Sequence, residues 1–401
     1  MYLRLLRFYR NSVDLELITS LLLIVSTFLA IFMFNSDLKS IYTTLFESKF
    51  MFSDFTFHMF VNDFLMAIFF LVAGIEIKHE ILYGSLSSFK KASFPVVASI
   101  GGVVVPALIF ILINKDTPFL SGLCIPISTD IAFAVGVFFL LRNMLSPSLK
   151  IFLLSLAVVD DLISILAIGV FYSFNVNITY LLLALGVLLI LFIANKVFEI
   201  ESISYYLTYG LFLWYFIFLS GVHSTISGIL LAIVIPTTNR KNSISTLERI
   251  YKLLNPLNNL IIIPLFAFAN TGIDISGGMD FSKAMPLSLG IILGLCVGKP
   301  LGIMLFSYLG CLIGITEKPN YINWLSVFFV SLIAGIGFTM SIFVSEVAFI
   351  HNLPLVDIAK ISILIASCIS LISSVCIITL CNFTSKIVNT YNTYITKSIY
   401  K

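Results

Sequence analysis

Three acidic residues and one lysine lie well inside long hydrophobic runs of the sequence. They are Asp130, Asp160, Asp161 and Lys299. A charge near the centre of a bilayer costs roughly 2.5 to 3.5 kcal/mol on insertion scales, so each residue needs a partner or a function. A structural ion pair, or a helix end that is misassigned by a few residues, explains one such acid. Four charges together favour an ion or proton site between helices.

Asp160 and Asp161 are neighbours, so on a helix their side chains point about 100° apart and can face two partners. Two carboxyls in an apolar cavity repel each other when both are ionised, and a nearby ammonium relieves that repulsion. Such a group can hold protons near neutral pH. A cation that enters competes with the protons for the same carboxyls, so exchange follows by linkage. These residues therefore indicate antiport chemistry.

The run that carries Asp130 also contains a helix breaker. Pro126 lacks a backbone N–H and disfavours helix at Ile125, so we expect the helix to break there. Ser128, Thr129 and Asp130 then begin a second half-helix, whose positive end suits a carboxylate. The freed carbonyls offer oxygen ligands to a small cation. The alternative is a proline kink in which the hydroxyls bond back to the helix.

A glycine-rich interruption lies towards the other end of the chain. Gly335 and Gly337 occur in an apolar run, and the Thr339–Phe343 segment shares a Thr and a Phe at the spacing of Thr129–Phe133. Interrupted segments at corresponding positions of two halves are typical of inverted-repeat transporters near their binding site. Glycines also simply let helices pack closely. The second break is therefore predicted mainly from its match to the first.

The composition indicates the elements that position these residues. Of 401 residues, 59% are hydrophobic and 11% charged, with a mean hydropathy of +1.09, whereas soluble domains have about 25% charged residues. A net charge of +3, thinly scattered, excludes a nucleic-acid partner. We expect an all-α polytopic protein in a lipid bilayer. Its twelve crossings are predicted near 15–34, 59–82, 95–114, 120–141, 150–172, 179–198, 204–220, 223–236, 257–273, 286–315, 323–349 and 356–381.

Orientation and domain boundaries follow from the residues between these runs. Seventeen lysines and arginines fall on one side of the alternating crossings and five on the other, which places both termini in the cytoplasm. We expect one domain, with a start at 1–14, a bundle at 15–383 and a tail at 384–401. The outer segment 35–58 is a surface element or a contact for a second copy. The cysteines lack metal-ligand spacing, so we expect no cofactor.

Four more charged or titratable residues carry weaker signals. Asp63 begins its run and is interpreted as structural, with a contact to the ion site as the alternative. Glu76 and Glu80 lie near the cytoplasmic end of the same run, where a surface charge cluster is the default interpretation. His223 lies two residues after Gly221 at a turn, where a hydrogen-bonded corner is more common than a proton relay.

Several segments, taken in order, resemble the NhaA family of sodium/proton antiporters from about Leu15 to Phe383. They are Asn62–Ala67, Gly74–Lys78, Thr129–Ala134, Val159–Leu162, Ser220–His223, Phe266–Asn270, Gly298–Gly302 and Gly335–Ser341. The resemblance implies twelve helices, with the fourth and eleventh interrupted and crossing at mid-membrane. It also implies a bacterial cytoplasmic (inner) membrane protein that exchanges one sodium or lithium ion for more than one proton, for sodium and pH homeostasis.

The resemblance implies roles for single residues. Asp161 matches the main cation ligand and proton carrier, and Asp160 matches the acid that pairs with Lys299 when sodium is absent. Asp130 and Lys299 would balance the dipole ends of the crossed half-helices, and Thr129 would lie close to the ion. The family's pH response is carried over to Glu76, Glu80, Glu248 and His223.

The sequence departs from the family pattern in three places. His79 stands where the family usually has arginine, and Ile163 replaces a small residue after Asp-Asp-Leu. The segment Leu247–Pro256 is about three residues longer than its family counterpart and has lost both of that motif's histidines. The departures concern the pH threshold more than the transport site.

Other functions fit the residues less well. An intramembrane aspartyl protease also needs two membrane acids, but its Gly-x-Gly-Asp signature is absent from the sequence. A cation channel or sensor of the same fold would not need all four buried charges. An antiporter for potassium, or a sodium-coupled organic-anion symporter of related architecture, remains open.

Overall fold

The computed structural model describes residues 2–49, 55–84, 87–172, 176–237, 244–274, 284–319, 322–350 and 352–399. Within these ranges every extended regular element is helical, and an isolated bridge joins Lys49 to Thr56. A 3₁₀ helix covers Pro118–Ile127. The α-helices, some with π turns, are α1 (Tyr2–Phe34), α2 (Lys39–Glu47), α3 (Phe57–Tyr83), α4 (Phe89–Asn114), α5 (Ile131–Leu140), α6 (Ser148–Phe171), α7 (Ile178–Lys196), α8 (Ile203–Ser220), α9 (Ile226–Val234), α10 (Thr246–Asn270), α11 (Met285–Ile313), α12 (Trp324–Ala334), α13 (Phe338–Ala348) and α14 (Leu353–Ile399).

Most of these helices are long and apolar enough to cross a membrane. Nine qualify singly among the described residues, and two bent pairs raise the number to eleven. One pair is the 3₁₀ helix with α5, bent by 45°, and the other is α12 with α13, bent by 49°. These pairs are the fourth and eleventh predicted runs. The all-α polytopic fold with two interrupted spans is confirmed.

The predicted eighth run, 223–236, is shorter than expected. It forms α9, which has nine residues and is therefore about 13 Å long. A hydrocarbon core is about 30 Å thick. Its apolar composition is that of a crossing, but the helix begins only at Ile226 and ends before Pro236.

The predicted start of the ninth run is wrong. The ninth run was expected to start at 257, but α10 starts at Thr246, after Ser245 accepts a hydrogen bond from the backbone N–H of Glu248. Residues Thr246–Leu257 are amphipathic, so hydropathy alone does not detect them. The twelfth run was expected to end at 381, close to the end of the candidate span at Thr384, and its helix continues beyond that span to Ile399.

The predicted outer segment, 35–58, contains α2, whereas its residues 50–54 lie outside the described ranges. Tyr42 and Phe46 of α2 are each 4% exposed. The Tyr42 hydroxyl donates to the Phe268 carbonyl at 2.6 Å. The helix is thus tied to the end of α10. A contact with a second copy through this segment stays a prediction.

Helices α4 and α11 touch backbone to backbone, and this contact positions Lys299. A Cβ atom on Gly101 would lie 2.2 Å from the Gly302 carbonyl oxygen, and one on Gly302 would lie 2.1 Å from the Gly101 oxygen. No side chain fits in that space, so glycine is required on both helices. Lys299 lies one turn before Gly302.

Two clusters of buried apolar side chains hold the bundle together. The smaller joins α3, α7, α8, α9 and the start of α10. The larger surrounds the broken spans with α1, α4, α6, α11 and α14. The four buried charges singled out in the sequence lie on elements of the larger cluster.

Candidate functional site

The first broken span is interrupted at Ser128–Asp130, between the 3₁₀ helix and α5. The expected break at Ile125 is therefore wrong by about three residues. Proline fixes φ near about −65°, which also suits a 3₁₀ helix. Pro126 is accommodated within that helix, and the extended backbone begins at Ser128, with ψ of 153°.

Asp130 caps two helices with one carboxyl group. Its Oδ1 accepts from the Phe133 backbone N–H at 2.9 Å, at the start of α5. Its Oδ2 accepts from the backbone N–H of Thr339 at 3.0 Å, at the start of α13, and also from the Thr339 hydroxyl. Both positive helix ends thus face one acid, an arrangement that stabilises a negative charge.

The second break contains Gly335 and Gly337. A Cβ on Gly335 would lie 2.8 Å from the Leu295 carbonyl oxygen, and one on Gly337 would lie 2.2 Å from the Ser341 Oγ. The Asp130 backbone N–H donates to the Ile336 carbonyl at 2.8 Å. The two interruptions therefore lie directly against each other.

Side chains from neighbouring spans satisfy the carbonyls that the breaks release. Lys299 Nζ donates to the Ile127 carbonyl at 2.5 Å. Ser341 Oγ donates to the Ile125 carbonyl at 2.8 Å. Ser370 Oγ, on α14, donates to the Gly335 carbonyl at 3.3 Å. Unpaired carbonyls in the bilayer core are costly, so these contacts stabilise the crossing.

Asp160 and Lys299 form a buried ion pair. Lys299 Nζ lies 3.1 Å from Asp160 Oδ2, and both side chains are 0% exposed. The same oxygen is 2.9 Å from Thr129 Oγ1, which also lies 3.2 Å from the Ala334 carbonyl. A hydroxyl has a single hydrogen, so it serves one of these acceptors at a time.

Asp161 lies beside this pair but has a different environment. It is 1% exposed, and neither carboxyl oxygen has a hydrogen-bond partner among the described residues. Other buried oxygens also lack partners within the same ranges, among them Asp160 Oδ1, Ser128 Oγ and Ser164 Oγ. A buried polar atom without a partner is costly. These oxygen atoms are available as ligands, and hard cations prefer oxygen ligands.

A cavity of about 90 Å³ extends along the spans beside the crossing. Asp130 and Thr339 line it together with Glu76, Glu16 and Tyr251. Asn255, Asn258 and Asn259 of α10 line it as well. The cavity thus connects the predicted pH-response residue Glu76 with the crossing.

Glu76 contacts the helix that carries Glu248. The Tyr251 hydroxyl donates to Glu76 Oε1 at 2.8 Å, and Glu248 lies three residues before Tyr251. Glu80 lies one turn beyond Glu76 on α3. The structure therefore places the three predicted acids at one end of the bundle.

His223 does not join that group. It lies next to Ser224, whose Oγ donates to Asp63 Oδ1 at 2.6 Å. Asp63 and Glu76 belong to the same helix and are separated by about 20 Å along its axis. His223 is therefore near the opposite end of α3.

Sequence reasoning missed several residues of this region. Ser341, Ser370 and Tyr251 were not singled out, and neither were the amides of α10. Single serines are common in membrane helices, so their type gave no signal. The signal that was present was the recurrence of polar residues every three to four positions from Tyr251 to Asn259.

An all-helical membrane protein in which two broken spans meet beside buried acids belongs, as a class, with membrane transporters whose ion site lies at the crossing. Residues 10–378 match the family described as Na+/H+ antiporter 1. The chain is 40% identical over 407 residues to the Na(+)/H(+) antiporter NhaA of Helicobacter pylori strain HPAG1, covering 90% of this chain and 92% of that protein. It is 41% identical over 381 residues to the Na(+)/H(+) antiporter NhaA 2 of Aliarcobacter butzleri strain RM4018, covering 90% and 94%.

A third relative is the Na(+)/H(+) antiporter NhaA of Pelagibacter ubique strain HTCC1062, 41% identical over 364 residues, with 89% of this chain and 93% of that protein covered. The chain therefore belongs to the NhaA family of sodium/proton antiporters. It is a multi-pass membrane protein and a transporter rather than an enzyme.

Proposed function

We propose that this protein exports sodium or lithium in exchange for more than one proton, using Asp161 and Asp160 as the shared site for cation and protons. The observation that carries the proposal is the contrast between two adjacent buried acids. Asp160 is held by Lys299 at 3.1 Å, whereas Asp161 has no hydrogen-bond partner among the described residues. A carboxyl that is buried without partners must hold a proton or bind a cation.

The exchange follows from the number of carboxyls. When sodium binds, Asp161 and Asp160 become its ligands and release the protons that they or Lys299 held. When sodium leaves, Lys299 pairs again with Asp160 and Asp161 is protonated. Two carboxyls bind one cation, so each cycle carries more protons into the cell than cations out of it. The exchange is therefore electrogenic.

Asp130, Thr129 and Lys299 support this site. Asp130 offsets the positive ends of α5 and α13, and Lys299 offsets the carbonyl end at Ile127. Thr129 presents its hydroxyl oxygen to the cation when its hydrogen points to Ala334. Gly335 and Gly337 shape the second break, and Pro126 lies in the 3₁₀ helix that leads into the first.

The protein's setting completes the proposal. It lies as one domain in the bacterial cytoplasmic membrane, with both termini in the cytoplasm, and works without a cofactor in sodium and pH homeostasis. Glu76, Glu80, Glu248 and His223 adjust activity to pH. A second copy of the chain is the expected protein partner.

The test uses everted vesicles with a respiration-driven pH gradient. Sodium or lithium added to vesicles with the native chain should dissipate the gradient, and Asp161→Asn should abolish the response. Asp116→Asn, on an exposed connection, is the matched control and should respond like the native chain.

Two results would contradict the proposal. No response to sodium, lithium or potassium between about pH 6.5 and 9, with folded protein in the membrane, would favour a channel or sensor. A response to potassium alone would identify an antiporter for another cation.

A further inference from the structure

We infer that the carboxamides of Asn255, Asn258 and Asn259 form a second cation subsite, in the cavity shared by Glu76 and Asp130. The inference rests on the proposed function and adds to it: the ligand is a partly dehydrated sodium or lithium ion on its way to Asp161. The subsite is neutral and made of amide oxygens. It therefore differs in chemistry from the carboxyl site at the crossing.

The three amides form a chain with one direction. Asn258 Nδ2 donates to Asn259 Oδ1 at 3.4 Å, and Asn259 Nδ2 donates to Asn255 Oδ1 at 3.1 Å. The oxygen left over is Asn258 Oδ1, which has no hydrogen-bond partner among the described residues. Asn258 is 4% exposed and lines the cavity.

Helix geometry brings these side chains together. Asn258–Ile262 is wound as a π-helix within α10. Such turns widen a helix locally and occur frequently at functional sites. Asn255 lies one turn before Asn258 and Asn259, so all three line the same cavity. A buried amide oxygen without a partner costs about 1–3 kcal/mol, and a cation removes that cost by accepting the oxygen as a ligand.

The hydrogen bonds also make the free oxygen a better ligand. An amide whose N–H donates carries more negative charge on its oxygen, because hydrogen bonds in a chain polarise one another. Asn258 is the donor at the start of this chain, so its oxygen gains most directly from the bond to Asn259.

The charges around the cavity favour a cation. The acids that line it are Glu16, Glu76 and Asp130, and no lysine or arginine lines it in the described part of the chain. Lys150 lies outside the lining and pairs with Glu16 at 2.8 Å. The charged side chains that line the cavity are therefore acidic, and the amide oxygens of α10 that line it are neutral.

A neutral subsite has a signature that a carboxyl site lacks. Amides do not titrate at physiological pH, so a cation bound there displaces no proton. Removing the Asn258 oxygen should therefore raise the apparent KM for sodium by about the same factor at every pH. One ligand oxygen corresponds to a factor of about three to ten. The maximal rate and the shape of the pH profile should change little.

The experiment compares Asn258→Ala, Asn258→Asp and the native chain in proteoliposomes with sodium and lithium. We expect Asn258→Ala to raise KM as stated. Asn258→Asp should lower KM at alkaline pH and make it pH-dependent, because a carboxyl replaces the neutral oxygen. Asn195→Ala removes an amide that bonds the Val234 carbonyl away from the cavity, and it should keep the native KM.

The outcomes separate the two proposals. Native KM values in both Asn258 variants would overturn the subsite and leave the antiporter intact. Raised KM in both would assign Asn258 a purely structural role and also overturn it. If the native chain does not transport, the proposed function fails first, and sodium binding to purified native and Asn258→Ala protein decides the subsite. Equal affinities there would refute it.

Discussion

Asp160 and Asp161 are adjacent in the chain but differ in what surrounds them. The sequence predicted that both are buried and that Lys299 is near, and the structure agrees, with exposures of 0%, 1% and 0%. Which acid Lys299 pairs with could not be read from residue types alone. That choice depends on the rotation of α6 and on the close contact of α4 with α11, which fixes Lys299.

Removing Lys299 tests the energetic coupling of this pair. Lys299→Ala leaves Asp160 buried without its cation, so we expect a loss of about 3–5 kcal/mol in stability. The double variant Lys299→Ala with Asp160→Asn should recover much of that loss, because no uncompensated charge remains. Thermal unfolding of purified protein in detergent measures both. Strictly additive effects of the two substitutions would contradict the pairing.

His223 allows a pH prediction outside the membrane spans. Burial lowers the pKa of His223 below its usual value of 6.5. The unfolded chain therefore binds a proton that the folded chain resists, and stability is lost as pH falls below about 6.5. Above that pH both states are neutral and the residue contributes no pH dependence.

His223→Gln should thus reduce acid destabilisation and leave the alkaline side of the stability curve unchanged. Unfolding temperatures measured from acid to alkaline pH provide the check. An equal change on both sides would contradict a lowered pKa.

The crossing of the two broken spans depends on hydrogen bonds between neighbouring helices. Pro126 predicted the first interrupted span, and the match of Thr339–Phe343 to Thr129–Phe133, beside Gly335 and Gly337, predicted the second. They were not enough to predict how each break is wound, because 3₁₀ and extended segments depend on the partners that satisfy their carbonyls. The same holds for α10, whose amphipathic start is stabilised by tertiary contacts that hydropathy does not report.

Ser341→Ala tests one of those contacts. It leaves the Ile125 carbonyl without the hydroxyl that donates to it at 2.8 Å, so we expect a loss of about 1–3 kcal/mol. Ser373→Ala is the control, because Ser373 bonds only to the Ser370 carbonyl of its own helix among the described contacts. Chemical or thermal unfolding of both variants gives the comparison. Equal stabilities would contradict the role of Ser341 at the crossing.

Each proposed transport cycle moves net charge across the membrane, which is a property of the whole molecule. Exchange of one sodium for more than one proton carries net charge, and a potential contributes about 2.3 kcal/mol per charge per 100 mV. An inside-negative potential should therefore accelerate sodium export from right-side-out proteoliposomes. Imposed potassium diffusion potentials measure this dependence. Transport that is insensitive to potential would contradict the proposed stoichiometry.

The whole-molecule prediction of twelve crossings depended on apolar composition, and eleven runs correspond to helices or bent pairs that satisfy the length and hydropathy of a crossing. The remaining run, α9, is apolar but short because it begins after a turn and ends before Pro236. Apolar composition predicts the positions of candidate crossings better than it predicts the length of each helix.

In the proposed function, cation and protons compete for Asp161 and Asp160. The direct measurement is proton release when sodium is added to purified protein in weakly buffered solution. The native chain should release protons in proportion to the sodium bound, and Asp161→Asn should release few or none. Sodium binding without proton release, or equal release from Asp161→Asn, would contradict the account.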